Sequence, residues 1–576
     1  MNILPKVNGR YERLPGGFVL PKEITVEETF PVSVQVFAER VKKMDGCTVT
    51  VKKSDAIICF QKNAEWKEEK YGITVKNQKI TITAAGERGY AYGLVTILQM
   101  MEEGKGTLEN CEIQDEPRFE SRGMMLDVCR HFFPADEVKK IIEQMSLLKM
   151  NRFHWHLTND QGMRIESRRF PKLNRVGSFR ILAQNDPVVQ NGHGKKGERY
   201  GGYYTQDEIR DVVKYAMDRQ VEIVPELSMP GHSSAILAAY PEYSCSGKIL
   251  KVRNTFGVHE RIFCAGKEET FSFLQELLDE IMELFPGEYV HLGGDEAPKG
   301  EWRKCPDCGR KMKELGLQNY EELQCYFTNR MAEHLRKRGK KAIVWQEASF
   351  AGNLDETAVI QYWMEMGGGP SYVEPEIKKG RKFLLSNMNQ FYCDYSYAEI
   401  PLRATLCYEP WLKEQRLPDE NVFGIEAPMW TEWTAESKDV EKMIYPRMLA
   451  VAECGWTKER EKEEFLLRAE TYSRNQVLSV LTPMPWEEAT VGGQEALQMI
   501  AFKMLELGQK YGNMAEGEAL EEAGKAEAVT PEAEPAGTQK NMQEMISGYI
   551  TERMKAAYTK EDIQTVIQMI VKMMIH

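Results

Sequence analysis

The sequence predicts an α/β protein built on a (β/α)8 barrel, with a small α+β domain before the barrel and a helical extension after it. Two observations support this prediction. Short apolar runs with strand character recur eight times between residues 118 and 457, and clear amphipathic helices separate several of them. Polar and aromatic residues gather where these runs end, and the carboxyl ends of barrel strands are where this fold builds its sites.

Composition narrows the class of protein. The chain has 576 residues, of which 42% are hydrophobic and 28% are charged, with a net charge of −12. No dense cluster of lysine and arginine is evident, so nucleic acid is not an expected partner. The first residues lack an apolar stretch of signal-peptide length, and no later run reaches membrane-spanning length. We therefore expect a cytoplasmic protein without a membrane partner, whose twelve cysteines are reduced.

Residues 1–117 are predicted to form the small α+β domain. The alternating segment 70–84 indicates a pair of strands with Asn77 in the turn between them. The apolar spacing of the next segment indicates a helix that ends near Gly104. Glycines near this point and then Pro117 mark the exit from the domain.

Residues 118–457 are predicted to form the barrel. Helices with one apolar face are clearest at 135–150, at 268–285 and from about 319 to Gly339. The eight predicted strands are MMLDVCR (124–130), RFHWHLT (152–158), EIVPELS (222–228), YVHLGGDE (289–296), AIVWQEA (342–348), AVIQYWM (358–364), FLLSNMN (383–389) and FGIEAPMW (423–430).

Three further segments follow the barrel. Residues 458–514 are predicted to be helical. Residues 515–540 are poor in bulky apolar residues and rich in Glu, Ala and Pro, which predicts a flexible acidic linker. The tail at 541–576 has helical spacing and is expected to dock on the barrel or on a second copy of the chain, which leaves a homo-oligomer open.

The segment HLGGDEAPKGEW (291–302) carries the clearest chemistry, because an apolar strand ends there in two glycines followed by Asp295 and Glu296. A glycosidase needs a carboxylic acid beside the leaving oxygen and a group that stabilises the oxocarbenium-like centre. Adjacent side chains on a strand diverge, so we expect that these carboxyls do not oppose each other across a sugar ring. That placement favours a nucleophile supplied by the substrate. A bare acidic pair would also suit an ordinary acidic loop or a metal site.

This segment resembles the signature of glycoside hydrolase family 20, the β-N-acetylhexosaminidases. The resemblance covers the whole predicted barrel, and the first domain is similar to the α+β domain that precedes the barrel in this family. It implies an exo-acting retaining enzyme that hydrolyses terminal non-reducing β-linked N-acetylglucosamine, or N-acetylgalactosamine, through an oxazolinium intermediate and without a cofactor. The matching blocks, in family order, are LDVCRHF (126–132), NRFHWHLTNDQG (151–162), GGYYTQDEI (201–209), VPELSMPGHSSA (224–235), YCDY (392–395), MWTEW (429–433) and YPRMLAVAECGW (445–456).

The resemblance also implies roles for individual residues. Glu296 would be the general acid/base, Asp295 would orient the acetamido group and stabilise the oxazolinium, and Tyr392 would donate a hydrogen bond to the acetamido oxygen. His232 would contact Glu296 and tune its proton affinity. An aromatic wall around the acetamido group would consist of Trp345, Trp363 and Trp430. The sugar hydroxyls would be held by Arg130, Asp394 and Glu432. The barrel-strand histidines are interpreted as interior supports: His154, His156 and His291.

The chain departs from the family pattern at three positions. Asn159 stands where an aspartate is usual, Ser228 stands where an acid is usual, and Met163 replaces a tryptophan. Neutral Asn and Ser accept hydrogen bonds but cannot stabilise an imidazolium through charge. We therefore expect a lowered pKa for His232 and an altered pH–rate profile.

Two other functions stay open, and one pair of cysteines has to be weighed as a metal site. A sugar-binding protein that has lost turnover would be consistent with these departures. An enzyme that releases a disaccharide such as lacto-N-biose would need a deeper pocket. Cys305 and Cys308 have the spacing of a zinc-binding pair, but the sequence shows no second pair that would complete the site. We therefore expect a reduced pair of thiols in a loop and no metal.

Overall fold

The computed structural model of the protein describes residues 2–364, 369–409, 411–412 and 415–490. A mixed sheet with two helices comes first in the chain, and a closed barrel follows it. Among the helices of these described ranges, none has both the length and the apolar character needed to cross a bilayer. The predicted linker at 515–540, the predicted tail at 541–576 and the part of the helical extension beyond residue 490 lie outside the described residues.

The N-terminal region is a seven-stranded sheet on which two helices pack. Its strands are β1 (Arg10–Val19), β2 (Glu23–Glu27), β3 (Thr48–Lys52), β4 (Ile58–Lys62), β5 (Tyr71–Lys76), β6 (Lys79–Ala84) and β7 (Thr107–Asp115). The helices are α1 (Pro31–Val41) and α2 (Glu87–Glu103). The strand order is β1-β7-β5-β6-β4-β2-β3. The predicted strand pair is β5 and β6, and Asn77 lies in the turn with a φ of 54°. The predicted helix is α2, which ends at Gly104 as expected.

Eight parallel strands close into the predicted barrel, because the last strand pairs with the first and places Gly424 opposite Ser121. The barrel strands are β8 (Ser121–Asp127), β9 (Arg152–Asn159), β13 (Glu222–Leu227), β14 (Tyr289–His291), β15 (Lys341–Trp345), β16 (Val359–Tyr362), β17 (Phe383–Leu385) and β20 (Val422–Met429). Short strands lie in the loops between them: β10 (Gly162–Met163), β11 (Phe179–Ile181), β12 (Arg199–Gly201), β18 (Trp411–Leu412) and β19 (Gln415–Arg416).

Helices connect the barrel strands, except between β15 and β16, where the connection contains only a short 3₁₀ turn, Gln346–Ser349. The helices of the barrel are α3 (Ala135–Leu147), α4 (Pro187–Gln190), α5 (Gln206–Asp218), α6 (Ser234–Ala239), α7 (Glu268–Met282), α8 (Gly300–Lys304), α9 (Pro306–Leu315), α10 (Tyr320–Lys337), α11 (Gly369–Lys378), α12 (Leu402–Leu406), α13 (Ser437–Ile444) and α14 (Arg447–Trp456). Two more follow, α15 (Lys462–Ser473) and α16 (Trp486–Ala489). The three clearest predicted helices are α3, α7 and α10, and α15 and α16 fall in the predicted helical extension.

All eight predicted strands are present, but several end earlier than the apolar runs suggest. The first apolar run reaches Arg130, whereas β8 ends at Asp127. The Oδ1 of Asp127 accepts hydrogen bonds from the backbone of Cys129 at 2.8 Å and of Arg130 at 3.3 Å. The fourth apolar run reaches Glu296, whereas β14 ends at His291. In each case the backbone leaves the sheet so that polar side chains can reach the mouth of the barrel.

The barrel interior is layered. Apolar side chains fill its amino end and form one cluster: Val224, Tyr289, Ile343, Val359, Leu384 and Phe423. Above them lies a buried polar layer around Glu226, which His154 contacts at 2.8 Å and His156 at 2.6 Å. His291 is also buried there, with its Nδ1 3.4 Å from Glu226. The interpretation of these histidines as interior supports is therefore confirmed, and the polar layer forms the floor on which the pocket rests.

Candidate active site

A pocket of about 810 Å³ opens at the carboxyl ends of the barrel strands, where the fold predicts one. The volume is within the range usual for ligand pockets. The structure brings all ten predicted site residues to its wall: Arg130, His232, Asp295, Glu296, Trp345, Trp363, Tyr392, Asp394, Trp430 and Glu432. They come from segments spread over more than half the chain, so the barrel topology alone brings them together.

The two adjacent acids lie in a loop rather than on a strand. Gly293 and Gly294 adopt φ values of 68° and 102°, and Glu296 itself has a φ of 44°. The expectation that the two carboxyls diverge is therefore wrong, because the alternation of a strand does not apply beyond His291. Instead both carboxylates approach one nitrogen: His232 Nε2 is 3.6 Å from Asp295 Oδ2 and 3.3 Å from Glu296 Oε2.

His232 is held from its other side by Asp160. The Nδ1 of His232 is 3.0 Å from Asp160 Oδ2, and both side chains are buried. Asp160 Oδ1 also accepts a hydrogen bond from the backbone of Ser234 at 2.9 Å, which fixes the carboxylate beside the loop that carries the histidine. His232 has a φ of 48°, so the two directly contacting residues His232 and Glu296 both occupy a backbone region that non-glycine residues seldom adopt.

The acidic neighbours of His232 favour its protonated, positively charged form. Burial alone would lower the pKa of His232, but its acidic neighbours raise it well above its ordinary value: Asp295, Asp160 and Glu296. Burial also acts to raise the pKa of Glu296, yet the hydrogen bond and the charge of His232 outweigh it and lower that pKa. Burial raises the pKa of Asp295 to about 6, against the opposing charge of His232. An ion pair of His232 and Glu296 is the state that these shifts favour in the free protein.

The expected consequences of Asn159 and Ser228 are corrected by this geometry. Asn159 does not face His232; its Nδ2 lies 2.9 Å from His156 Nε2. The Oγ of Ser228 donates to the backbone oxygen of Thr158 at 2.8 Å. The acid that supports the histidine is the next residue, Asp160, so the predicted lowering of the His232 pKa is wrong. Met163 is fully buried in β10.

Four aromatic rings contribute to the pocket lining: Trp345, Trp363, Tyr392 and Trp430. Trp363 and Tyr392 are stacked with centroids 6.2 Å apart and an interplanar angle of 20°. Trp430 lies 6.0 Å from Trp345 and 6.5 Å from Tyr392, so the four rings form one continuous surface. Trp345 is tied to the polar floor, since its Nε1 donates to Glu226 at 3.1 Å. These contacts fix the rings before any ligand binds.

Glu347 is a group that the sequence reasoning missed. It follows β15 by two residues, and its Oε2 accepts a hydrogen bond from Trp363 Nε1 at 3.1 Å. Burial, together with the nearby charge of Asp295, raises the pKa of Glu347 to about 8. An acid near the carboxyl end of the predicted strand AIVWQEA (342–348) is the available signal, because that is where barrel sites gather their polar groups. Glu347 is expected to be neutral near pH 7 and orients one tryptophan of the wall.

Arg130 forms the polar rim together with two carboxylates. Its Nη2 lies 3.2 Å from Glu432 Oε1, and its Nη1 lies 3.3 Å from Asp127 Oδ2. The guanidinium also lies over the ring of Trp430 at 5.0 Å. Asp127 was not singled out from the sequence, although it ends the first barrel strand. A rigid guanidinium between two carboxylates presents fixed donors and acceptors suited to vicinal hydroxyl groups.

One expectation about cysteines is also wrong. Cys305 and Cys308 do not lack further partners, because Cys245 and Cys264 complete a group of four whose sulfur atoms all lie within 4.8 Å of one another. Sequence spacing could not reveal this group, since the second pair comes from a different loop.

Comparison with known families gives two matches. The model of the glycosyl hydrolase family 20 catalytic domain matches residues 119–459. The model of domain 2 of the same family matches residues 1–116. Together the two matches follow the sheet region and the barrel described above.

Individual relatives agree with these matches. The chain is 37% identical over 420 residues to a β-hexosaminidase of Porphyromonas gingivalis, a match that covers 69% of this chain and 52% of that protein. A solved β-N-acetylhexosaminidase of Bacteroides fragilis superposes with a TM-score of 0.74 at 30% identity and covers 85% of this chain and 99% of its own. The solved exo β-N-acetylglucosaminidase of Vibrio harveyi, in complex with N-acetylglucosamine, gives a TM-score of 0.73 at 29% identity over 84% of this chain and 78% of its own.

Proposed function

Because the chain belongs to glycosyl hydrolase family 20 and is a glycoside hydrolase of the β-hexosaminidase type, we propose that it is an exo-acting, retaining β-N-acetylhexosaminidase. Its substrate is a glycan with a terminal, non-reducing, β-linked N-acetylglucosamine, and N-acetylgalactosamine is the second candidate sugar. The acetamido group of the substrate supplies the nucleophile. The cytoplasmic location expected from the sequence stays a prediction.

The placement of the two acids is the observation that supports this mechanism best. A retaining enzyme with a protein nucleophile needs two carboxyl groups about 5–5.5 Å apart that flank the scissile bond. Here Asp295 and Glu296 both approach His232 Nε2, so the two acids are gathered at one histidine. The pocket lining also includes the aromatic rings of Trp345, Trp363, Tyr392 and Trp430. A wall of this kind cannot attack an anomeric carbon, but it can press an acetamido group against one.

The first step would form an oxazolinium ion. The carbonyl oxygen of the acetamido group attacks the anomeric carbon while the bond to the leaving oxygen breaks, and Glu296 transfers its proton to that oxygen. Asp295 accepts the acetamido N–H and stabilises the positive charge that develops on the ring. Tyr392 donates a hydrogen bond from its hydroxyl group to the acetamido oxygen from the opposite side. The tryptophan wall excludes water and holds the attacking atom close, which raises its effective molarity.

The second step would restore the acetamido group. Water attacks the anomeric carbon from the side that the leaving group vacated, Glu296 accepts its proton, and the oxazolinium ring opens. The stereochemistry at the anomeric carbon is retained because two inversions occur. Arg130, Asp394 and Glu432 hold the sugar hydroxyls throughout.

Glu296 must be protonated to act as the acid, although His232 lowers its pKa in the free protein. Its side chain is 41% exposed before a ligand binds, whereas that of His232 is 4% exposed. Bound sugar would remove water from the carboxyl group, which favours its neutral form. The proton then moves from His232 Nε2 to Glu296 across their existing contact. His232 therefore acts as the proton donor that recharges Glu296.

A panel of aryl β-glycosides tests the proposal. Purified protein should hydrolyse the nitrophenyl N-acetylglucosaminide and leave the plain glucoside, which has a hydroxyl at C2, intact. Equal rates on both would overturn the substrate-assisted mechanism. Faster release of lacto-N-biose than of the monosaccharide would replace the proposed substrate with a disaccharide. Binding of N-acetylglucosamine without hydrolysis of any member would indicate a sugar-binding protein.

A further inference from the structure

Four cysteine side chains meet at one point beside the pocket, where the segment after β13 contacts the segment after β14. The Sγ of Cys264 is 3.8 Å from that of Cys305 and 3.7 Å from that of Cys308. The Sγ of Cys245 is 3.8 Å from that of Cys308. Three of the four are buried, and Cys245 is partly buried. The reaction proposed above uses none of them.

These distances fit a tetrahedral zinc site. With Zn–S bonds of about 2.3 Å, the sulfur atoms at the corners of a tetrahedron lie about 3.8 Å apart. Cys305 and Cys308 also have the two-residue spacing that structural zinc sites use for half of their ligands. A set of four thiolates with no position left for water is the pattern of a structural rather than a catalytic zinc.

The same distances do not select a disulfide pairing. A disulfide joins one sulfur to one other at about 2.05 Å. Cys264 is almost equally distant from Cys305 and Cys308, and Cys308 is almost equally distant from Cys264 and Cys245. Convergence of four sulfur atoms on one centre, rather than in two pairs, favours a metal ion.

The first pair of cysteines closes the base of a loop. Ser244 and Phe263 form an antiparallel bridge, which joins the two ends of this loop one residue away from Cys245 and from Cys264. The backbone of Cys264 is held further by a hydrogen bond to the oxygen of Tyr243 at 2.8 Å. The two sulfur atoms therefore share one side of the cluster because the loop between them is pinned at its ends.

The second pair belongs to the start of α9. Cys305 caps this helix and Cys308 lies in its first turn. Gly266 packs directly against the peptide before Cys308, where a Cβ atom on Gly266 would lie 2.3 Å from the backbone nitrogen of Cys308. Trp302 Nε1 adds a hydrogen bond to the oxygen of Phe263 at 2.8 Å. These contacts hold the segment that carries Cys264 against the segment that carries Cys305 and Cys308.

We propose that the four cysteines bind one Zn²⁺ ion that clamps the loop between Cys245 and Cys264 to the start of α9. This loop borders the pocket through residues 254–258. It also touches the acid that supports His232, since the backbone nitrogen of Arg253 donates to the oxygen of Asp160 at 3.2 Å. The ion would therefore fix one wall of the pocket from outside the pocket. Binding releases the thiol protons, because the thiolates are the ligands.

Metal analysis of the full chain tests the proposal. Protein purified under reducing conditions should contain one zinc ion per chain. Both Cys264→Ser and Cys308→Ser should lose the zinc and unfold at a lower temperature. The matched control is Cys325→Ser, since Cys325 is fully buried in α10 but lies outside the cluster. This control should keep its zinc.

The unmodified protein provides a second test if the variants fail to fold. Removal of the metal with a chelator should lower the thermal midpoint, and added Zn²⁺ should restore it. Co²⁺ in place of Zn²⁺ should give the visible absorption of a tetrahedral thiolate site. Reduced protein that takes up no Zn²⁺, native protein in which alkylation finds disulfides at these positions, or variants that keep their zinc would each overturn the proposal.

Discussion

His232 connects the acids of the pocket to the interior of the barrel. Asp160 binds one nitrogen of its ring, and the carboxylates of Asp295 and Glu296 approach the other. A histidine surrounded by three carboxylates keeps its proton at a pH where a free imidazole would lose it. Protonation of His232 therefore stabilises the folded state fully below about pH 6.5. That contribution is lost as the pH rises through the raised pKa.

Glu296→Gln removes the proton donor with little change in size. On substrates whose leaving group needs protonation, kcat should fall by roughly 10²–10⁴-fold, because that is the usual contribution of a general acid. An aryl glycoside with a strongly acidic phenol should lose much less. Glu333→Gln, on the outer surface of α10, is the matched control and should behave like the unmodified protein. Equal losses on both kinds of leaving group would contradict the role of Glu296.

The pH dependence of kcat/KM tests whether Asp160, His232 and the two pocket acids titrate as a linked set. The acid limb should lie near pH 6, because Asp295 must be ionised and its pKa is about 6. The alkaline limb should report loss of the proton shared by His232 and Glu296. Asp160→Asn removes a carboxylate that raises the pKa of His232, so the alkaline limb should move to lower pH.

Asn159→Asp is the companion of that variant, since the side chain of Asn159 contacts His156 instead. It should move the alkaline limb less than Asp160→Asn does. A purely structural Asp160 would lower the rate at every pH without moving the limb, and that result would refute the proposed linkage.

Sequence reasoning reached the ten pocket residues because their motifs lie at predicted strand ends and resemble those of glycoside hydrolase family 20. It placed the acid that supports His232 one position too early. Asn159 ends β9 and turns toward His156, whereas Asp160 lies in the turn beyond the strand. Which of two neighbouring polar residues faces a histidine depends on where the strand ends, and apolar spacing does not define that point.

At the scale of elements, the loop after β14 decides whether the two acids can act together. Gly293 adopts a φ of 68°, and a Cβ atom there would lie 2.9 Å from the backbone of Ser228. The loop therefore passes against the end of β13 with no room for a side chain. This close approach brings the acids toward His232, which follows β13. Strand starts in the barrel could be predicted from apolar runs, but this exit could not, because it depends on a contact between two strands.

Gly293→Ala should disturb this loop in two ways. The left-handed backbone costs about 1–3 kcal/mol for a residue with a side chain, and the new methyl group must push the end of β13 away. We expect a lower thermal midpoint together with a marked loss of kcat. Gly339→Ala is the matched control, since its φ is 73° but a Cβ atom there meets nothing within 4 Å. It should lower stability and leave kcat unchanged. Full activity in Gly293→Ala would show that the loop does not position the acids.

At the scale of the molecule, a buried ion pair joins the N-terminal sheet to the barrel. Lys149, which follows α3, lies 3.3 Å from Asp115 at the end of β7, and neither side chain is exposed. Lys149 also donates to the hydroxyl of Tyr71 at 3.0 Å, and Trp456 Nε1 donates to Asp115 at 2.9 Å. Burial lowers the pKa of Lys149, and Asp115 opposes that effect. The two regions therefore share polar groups that neither could satisfy alone.

Lys149→Met should destabilise the protein by about 3–5 kcal/mol, because it leaves the buried carboxylate of Asp115 without its positively charged partner. The measurement is the urea midpoint of unfolding. Lys341→Met is the matched control: Lys341 and Glu288 are 2.7 Å apart but each is 48% exposed, and such a surface pair contributes about 0–1 kcal/mol. Similar midpoints for the two variants would show that the sheet region and the barrel are not coupled through Lys149.

The overall architecture could be predicted because eight apolar runs and their helices repeat one local pattern. Contacts between distant loops could not. In the sequence, 18 residues separate Cys245 from Cys264, and 40 residues separate Cys264 from Cys305. Only the folded chain therefore shows that the four cysteines meet. The interface at Lys149 was missed for the same reason, since a single lysine after a helix carries no signal of burial.

The identity of the nucleophile is the central claim. The most direct test is to change the nucleophilicity of the acetamido carbonyl oxygen in the substrate. Aryl N-acetylglucosaminides whose acetyl methyl carries one, two or three fluorine atoms keep the leaving group constant and progressively weaken the carbonyl oxygen as a nucleophile. If that oxygen attacks the anomeric carbon, kcat/KM should fall steeply with each added fluorine. Rates that do not respond to fluorination, or a glycosyl ester trapped on a carboxylate of the protein, would contradict the claim.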